Sequence, residues 1–486
     1  MMDINHEEED ARINALPDDI QLHTDDDRIS VLPDDILIHI LECLDLPIAI
    51  QASTLSRRWR HLPRMLSRLL IDVADFMPPR HLNTAVDHIM TTYSDAVRRL
   101  LSSNSNRCIK HLQLSFYLTD PYICTIGHIV GDVAEISKIN CLELTLWNDV
   151  ADPSFEQCIQ FGQRFMNFFL VCTGTFRHLT RLILQNLIFE DFDVPNLIDT
   201  CNKLQLLSLT SCDTFTGEEY VLKIDAPRSE LVVLEIITCG FARVDLIHVP
   251  KLGRVVCDTW FEANPPLRLG IVPCLDNICI SCNALCNQTP FTLSELLSST
   301  RNLTILYLNF RDQMIWIKPE DPKHLSHVFN NLRDVYIYNI FYECDLNWTM
   351  FLLEAAPSLN NFYLMLSRHP CERSRCKDSA EKVNVLWDQA SSGFKHHHLS
   401  LLEIKGFAMD DRLMKYIKHV MERAVDLKRI RLLDQDTCEK CDSMDDIQSS
   451  SSLIRWRFPT EEREKSLIRQ QLVDGISSSV DLTIGE

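Results

Sequence analysis

The sequence predicts an α/β architecture: a small N-terminal three-helix unit followed by an irregular solenoid of strand-and-return repeats. Three observations predict it. An apolar helical pattern with Pro breaks occupies residues 28–73. Behind it an L-x-x-L-x-L pattern recurs, mostly at intervals of 21 to 30 residues. The chain is also 486 residues long, too long for one ordinary core, so several units or an array are expected.

Residues 1–27 hold ten acidic residues against Arg12 alone, out of a net charge of −20. This composition predicts an acidic, disordered leader. The start MMDINHEEED has no basic or apolar segment of a secretory signal.

The first folded unit is expected over 28–73. Pro33 suits the start of a helix, and Asp34 and Asp35 place negative charge where the helix dipole favours it. Ile36, Leu37, Ile40, Leu41 and Leu44 then form one apolar stripe. Asp45-Leu46-Pro47 ends that helix, and a short second one runs from Pro47 to Ala52. A third carries Leu55, Trp59 and Leu62 between Arg57, Arg58 and Arg60, and Pro63 ends it. So small a core gains stability from a partner.

The run LPDDILIHIL followed by ASTLSRRWRHL resembles the F-box, from Leu32 to about Leu62. The resemblance implies docking on the small adaptor subunit of cullin–RING ubiquitin ligases. It implies as contacts Leu32, Pro33, Ile36, Leu37, Ile40, Leu55, Ser56, Trp59 and Arg60. Read from the residues alone, the same positions could simply hold three helices together. Arg12–Ile20 nearly repeats Arg28–Ile36, but QLHTDDD follows the first copy and cannot continue the stripe. It reads as a truncated duplicate, with a competing decoy for docking as the alternative.

Residues 74–108 read as a helical linker, and leucine-rich repeats are expected over 109–397. Clear copies start at Leu179, Leu204, Leu231, Leu303, Leu399 and Leu427. Weaker ones start at Ile109, Ile139, Leu252, Leu275, Leu332 and Leu359. The intervals 139→179 and 359→399 are 40 residues each and fit poorly, and 367–398 reads as an inserted loop. The customary Asn or Cys eight positions on occurs only at Cys212, Cys239 and Asn283. No repeat buries its apolar face alone, so stacking must build one continuous horseshoe core.

The segment 398–444 resembles the FBD region of plant-type F-box proteins, which implies a strand, a helix and a strand as terminal repeats. In it Met414, Ile417, Met421 and Ala424 share a helix face. A short helix from Thr460 to Leu472 is expected within the 445–486 tail, and residues 475–486 are expected to fray.

Several chemistries are excluded on composition or motif. The acidic balance argues against a nucleic-acid binder. No run of 18 uncharged apolar residues is present, so no membrane span is expected. With 12 glycines, the chain has neither GxGxxG nor GxxxxGK[ST], and it has no GxSxG or HExxH. The 19 cysteines are read as reduced thiols. Cys438-x-x-Cys441, with Cys371, Cys376 and His396–His398 as further ligands, is weighed as a zinc site and set aside, so no metal or cofactor is expected. Cys279, Cys282 and Cys286 read as core thiols, and His396–His398 as a solvated loop.

The function expected is that of a non-enzymatic substrate-recognition subunit of an SCF-type ubiquitin ligase, in the cytoplasm or nucleus. The rival is a leucine-rich-repeat scaffold or ligand-binding protein with a non-functional F-box. Target choice is placed on the strands. Residues at +2, +4 and +6 of each repeat point out, opposite the buried +3 and +5. By that rule Tyr307, Tyr336, Tyr338 and Tyr363, four of 10 tyrosines, meet on three adjacent strands beside a basic end with Arg429 and Arg431.

Overall fold

The computed structural model describes residues 29, 31–77, 85–101, 109–137, 139–215, 220–260, 265–282, 290–311, 315–367, 393–436, 457–473 and 480–485. The acidic leader and its LPDDI duplicate, residues 368–392 of the loop expected over 367–398, Asn283, Cys286, Cys438 and Cys441 lie outside them.

The N-terminal unit opens with α1 (Asp34–Glu42) and α2 (Leu46–Ala52). Pro33 precedes α1 as its cap, with extended backbone. The expected third α-helix is instead a 3₁₀ segment, Trp59–Met65, with Pro63 inside it. Leu55 falls in the preceding turn.

The chain then enters a fourteen-stranded parallel sheet. Its strands, in chain and spatial order, begin with β1 (Arg68–Asp72), β2 (His111–Tyr117), β3 (Cys141–Trp147) and β4 (Arg181–Gln185). Next come β5 (Leu206–Thr210), β6 (Val233–Ile237), β7 (Arg254–Trp260), β8 (Asn277–Cys282) and β9 (Ile305–Asn309). The last are β10 (Asp334–Phe341), β11 (Asn361–Ser367), β12 (Leu401–Lys405), β13 (Arg429–Leu433) and β14 (Asp481–Ile484). In every expected repeat the +3 and +5 residues are buried, from Leu112 and Leu114 to Ile430 and Leu432. The register is therefore the one the pattern predicts.

Residues 68–72, at the end of the first unit expected over 28–73, form β1, paired in register with β2 from Arg68↔His111 to Asp72↔Ser115. Two expectations are corrected. Within 74–108, read as a helical linker, Val86–Leu101 form helix α3, which buries Met90, Tyr93 and Val97 against the sheet as the first return helix. Within 475–486, expected to fray, Asp481–Ile484 form β14, which pairs with β13.

The other helices line the buried side of the sheet. They are α4 (Tyr122–Ile136), α5 (Phe155–Val171), α6 (Thr173–His178) and α7 (Asp193–Thr200), then α8 (Leu293–Leu297), α9 (Pro322–Phe329) and α10 (Met350–Ala355). Helices α11 (Asp411–Arg423) and α12 (Glu462–Val473) close the end. Helix α5 carries a capping box between Ser154 and Gln157, and with α6 it fills the 40-residue interval between Ile139 and Leu179. Between β5 and β8 strands replace the return helices. Val221–Asp225, Arg243–His248 and Leu267–Ile271 form a second parallel sheet whose Leu222, Val244 and Leu267 are buried.

Positive φ recurs directly after β4, β5 and β6, two residues past β9, and within the last residues of β7 and β10. Asn186, Ser211, Thr238, Thr259, Arg311 and Asn339 have φ of 48–58°. The turn lets Asn186 N donate to Thr210 O at 2.9 Å, Ser211 N to Ile237 O at 2.8 Å and Thr238 N to Asp258 O at 2.9 Å. Cys212 and Cys239 follow the turns at Ser211 and Thr238, buried, and the Cys239 thiol donates to Leu209 O at 3.3 Å. After β12, Gly406 takes φ 78°, and a Cβ there would meet Leu366 O at 2.1 Å.

Candidate functional site

Two surfaces stand out, one on the N-terminal unit and one on the open face of the sheet. In the first, Arg58 ties the two motif halves together. Its Nη2 donates to Leu32 O and to Asp34 Oδ1 at 2.6 Å each, and its Nε to Asp34 Oδ1 at 2.9 Å. The LPDD opening is thereby fixed against the S-R-R-W-R close, a role not assigned to Arg58 from sequence. Ser56 Oγ accepts from Trp59 N at 3.3 Å and starts the 3₁₀ turn.

Leu37 is fully buried and Trp59 is 6% exposed, so these two expected contacts are core instead. Leu32 and Ser56 are half-buried, and Pro33 and Arg60 are exposed. Ile36, Ile40 and Leu55 remain in water, at 44%, 36% and 73% exposure, with Val31, Leu44 and Ile48 exposed as well. So many exposed apolar side chains on so small a unit mark an interaction surface.

This unit is also anchored to the sheet. Glu42, at the end of α1, accepts from Ser67 N at 2.9 Å and Ser67 Oγ at 2.7 Å, immediately before β1. Burial alone would raise the Glu42 carboxyl, but the Ser67 hydrogen bonds hold it below the usual range.

On the open face, Tyr307, Tyr336 and Tyr363 sit directly across from one another on β9, β10 and β11. Tyr336 and Tyr363 stack with centroids 4.5 Å apart at 2°. Tyr338 lies edge-on to Tyr307 at 5.0 Å. All four are half-buried. Burial, then Cys279 and Tyr338 nearby, pushes the Tyr307 phenol up to about 12. Tyr336 is pushed to about 12 by burial and then by Tyr363 and Asp334. Both therefore stay neutral hydrogen-bonding groups at physiological pH.

The ladder continues Tyr363↔Glu403↔Arg431. The expected basic end is largely neutralised there. Arg431 Nη1 donates to Glu403 Oε2 at 2.7 Å, and Lys405 pairs with Asp436 at 2.7 Å. Arg429 is exposed, with Asp481 as its register neighbour. On the other side of the tyrosines Cys279 is half-buried on this face, where sequence reading placed it in the core.

His396 also departs from expectation. It is buried, Nε2 lies 2.9 Å from Ala356 O, and Nδ1 accepts from Leu399 N at 2.9 Å. His397 and His398 are exposed, as a solvated loop requires.

Among the described residues, one group could hold a metal ion: His111, Cys141 and Glu143, whose donor atoms lie within 4.8 Å of one another. Sequence reading missed it, although the residues stand at +2, +2 and +4 of the adjacent repeats at Ile109 and Ile139. No helix among them is long and apolar enough to cross a membrane.

A family model of the F-box domain matches residues 29–71. A second, described as the At1g61320/AtMIF1 LRR domain, matches residues 168–486, about two thirds of the chain. The two modules make this an F-box/leucine-rich-repeat protein. The chain belongs to the At1g61320/AtMIF1 LRR domain family, and that matched domain includes the 398–444 segment. Among curated proteins, none is significantly similar to the chain. F-box and leucine-rich-repeat domains are typically non-catalytic adaptor and receptor modules.

Proposed function

We propose that this chain is the substrate-receptor subunit of an SCF-type ubiquitin ligase. The exposed apolar face of the F-box takes the Skp1-like adaptor, and the tyrosine ladder takes the target protein. Ubiquitin transfer itself belongs to other subunits, and the chain contributes proximity.

The observation that carries the reading is the split within the F-box stripe. Leu37, Leu41 and Trp59 complete the unit's own core, while Ile36, Ile40 and Leu55 are left in water. A unit serving only itself has no use for the second set. On the target side, four clustered phenols offer rigid apolar area with polar tips, the kind of residue most often found as an interface hot spot.

Co-purification of the full chain with the adaptor tests both surfaces. Ile36→Glu/Leu55→Glu should abolish adaptor binding and leave the thermal midpoint unchanged, because both side chains are exposed. Leu37→Ala should instead cost about 2–5 kcal/mol of stability. Tyr336→Ala/Tyr363→Ala should retain the adaptor and lose the captured target. Unchanged adaptor affinity in the folded double-Glu variant overturns the receptor reading.

A further inference from the structure

We propose that His111, Cys141 and Glu143 form a site for a zinc-class divalent cation on the open face of the first repeats, with one coordination position left open. The site is distinct from both docking surfaces and differs from the metal-free expectation drawn from sequence.

The backbone dictates the juxtaposition. His111 and Cys141 are directly opposed in the parallel pairing of β2 and β3, and Glu143 follows on the same face. Strands in the sheet interior hold such ligands more closely than loops do. His111 Nε2 lies 3.2 Å from Glu143 Oε1, and Cys141 Sγ lies 3.2 Å from the same oxygen. Metal bonds of about 2.0–2.3 Å in a tetrahedral shell put neighbouring donors roughly 3.3–3.7 Å apart. The two spacings are close to edges of that shell.

A second observation points to a ligand. His111 Nε2 is buried but makes no aligned hydrogen bond. A buried imidazole nitrogen facing a thiol and a carboxylate lacks what a cation would supply. The groups around the trio contact its outer atoms. Arg181 Nε approaches Glu143 Oε2 at 3.7 Å and leaves Oε1 to His111 and Cys141. Thr180 Oγ1 lies 3.4 Å from Cys141 Sγ and donates to Leu142 O at 2.8 Å. Arg68, exposed, is the register neighbour of His111.

One sulfur, one imidazole nitrogen and one carboxylate oxygen select zinc or cobalt over magnesium or calcium. On binding, the Cys141 thiol releases its proton to solvent and its sulfur bonds as thiolate. The dication then balances one thiolate and one carboxylate. Three protein ligands leave the fourth position to water, or to a donor from whatever lies on the sheet.

Cobalt titration of the metal-free full chain tests this, with zinc competition as the second readout. One equivalent of Co²⁺ should produce a thiolate-to-cobalt charge-transfer band that zinc removes. Cys141→Ser should lose the band, and His111→Gln and Glu143→Gln should each weaken binding by more than about tenfold. Cys438→Ser/Cys441→Ser should keep it. Thermal unfolding without metal checks that each variant is folded. A wild-type chain that shows no band, or a band that survives Cys141→Ser, overturns the site. Loss of the band only in Cys438→Ser/Cys441→Ser overturns it as well.

Discussion

His396 shows how one buried side chain couples stability to pH. Burial holds its imidazole below the usual histidine range; the hydrogen bond to Ala356 O opposes that shift, and the charges of His398 and His397 add to it. Its two nitrogens suit the neutral form, with Nε2 donating to Ala356 O and Nδ1 accepting from Leu399 N. The unfolded chain therefore takes up the proton first. The stabilising contribution is fully present above the unfolded pKa of about 6.5 and is lost as pH falls from there through the lower folded value. Unfolding at pH 7.5 and 5.5 should show this loss in the wild type. His396→Gln should be weaker at the higher pH by about 1–3 kcal/mol and should lose less on acidification. An identical pH response in both proteins would rule out His396 as the cause. Side chains on the open face were legible at this scale, because the repeat rule placed Tyr307, Tyr336 and Tyr363 outward and the sheet aligns them. The same rule, applied to Ile109 and Ile139, would have aligned His111 with Cys141. His396 was not legible, since three histidines in a row look solvated and nothing local signals that the first turns inward.

The strand ends are where the elements carry strain. Thr238 closes β6 with φ 52°, exposed, while its N–H is committed to Asp258 O. A β-branched residue in the left-handed region is unfavourable, and Asn tolerates it far better. Thr238→Asn should stabilise the protein by about 0.5–1 kcal/mol, read as a rise in the urea midpoint at unchanged slope. A fall in the midpoint would show that the Thr238 side chain does work the backbone account misses. Strands were the legible elements, because the +3 and +5 positions must be apolar in every copy. The return segments were not. Helices α5 and α6 hide in one long interval, and the second sheet carries a period-2 pattern, as in LRLGI, outside the repeat consensus. The third helix of the F-box was expected from Leu55, Trp59 and Leu62, but Pro63 tightens that segment into a 3₁₀ turn.

At the scale of the whole molecule, the sheet is continuous from the end of the F-box to the last residues described. Its far end is closed by α12 and β14, with Phe458, Ile468, Leu472 and Ile484 buried. Each such burial contributes roughly 1.5–3 kcal/mol, and an uncovered parallel strand is an aggregation edge. Deleting residues 457–486 should lower the thermal midpoint by several degrees and produce concentration-dependent aggregation in light scattering. A monodisperse truncation with an unchanged midpoint would show that the cap is dispensable. The near end has a different consequence. Strand β1 leaves the F-box and immediately becomes the first rung of the sheet, with Glu42 pinned to Ser67 at the joint. On the proposed function, such a receptor works as a ruler and not as a leash. The distance and bearing from adaptor to tyrosine ladder are set by the number and twist of the strands between them. A bound target is held in one pose, and which of its lysines comes within reach of the ubiquitin-bearing enzyme is decided by the target's own shape.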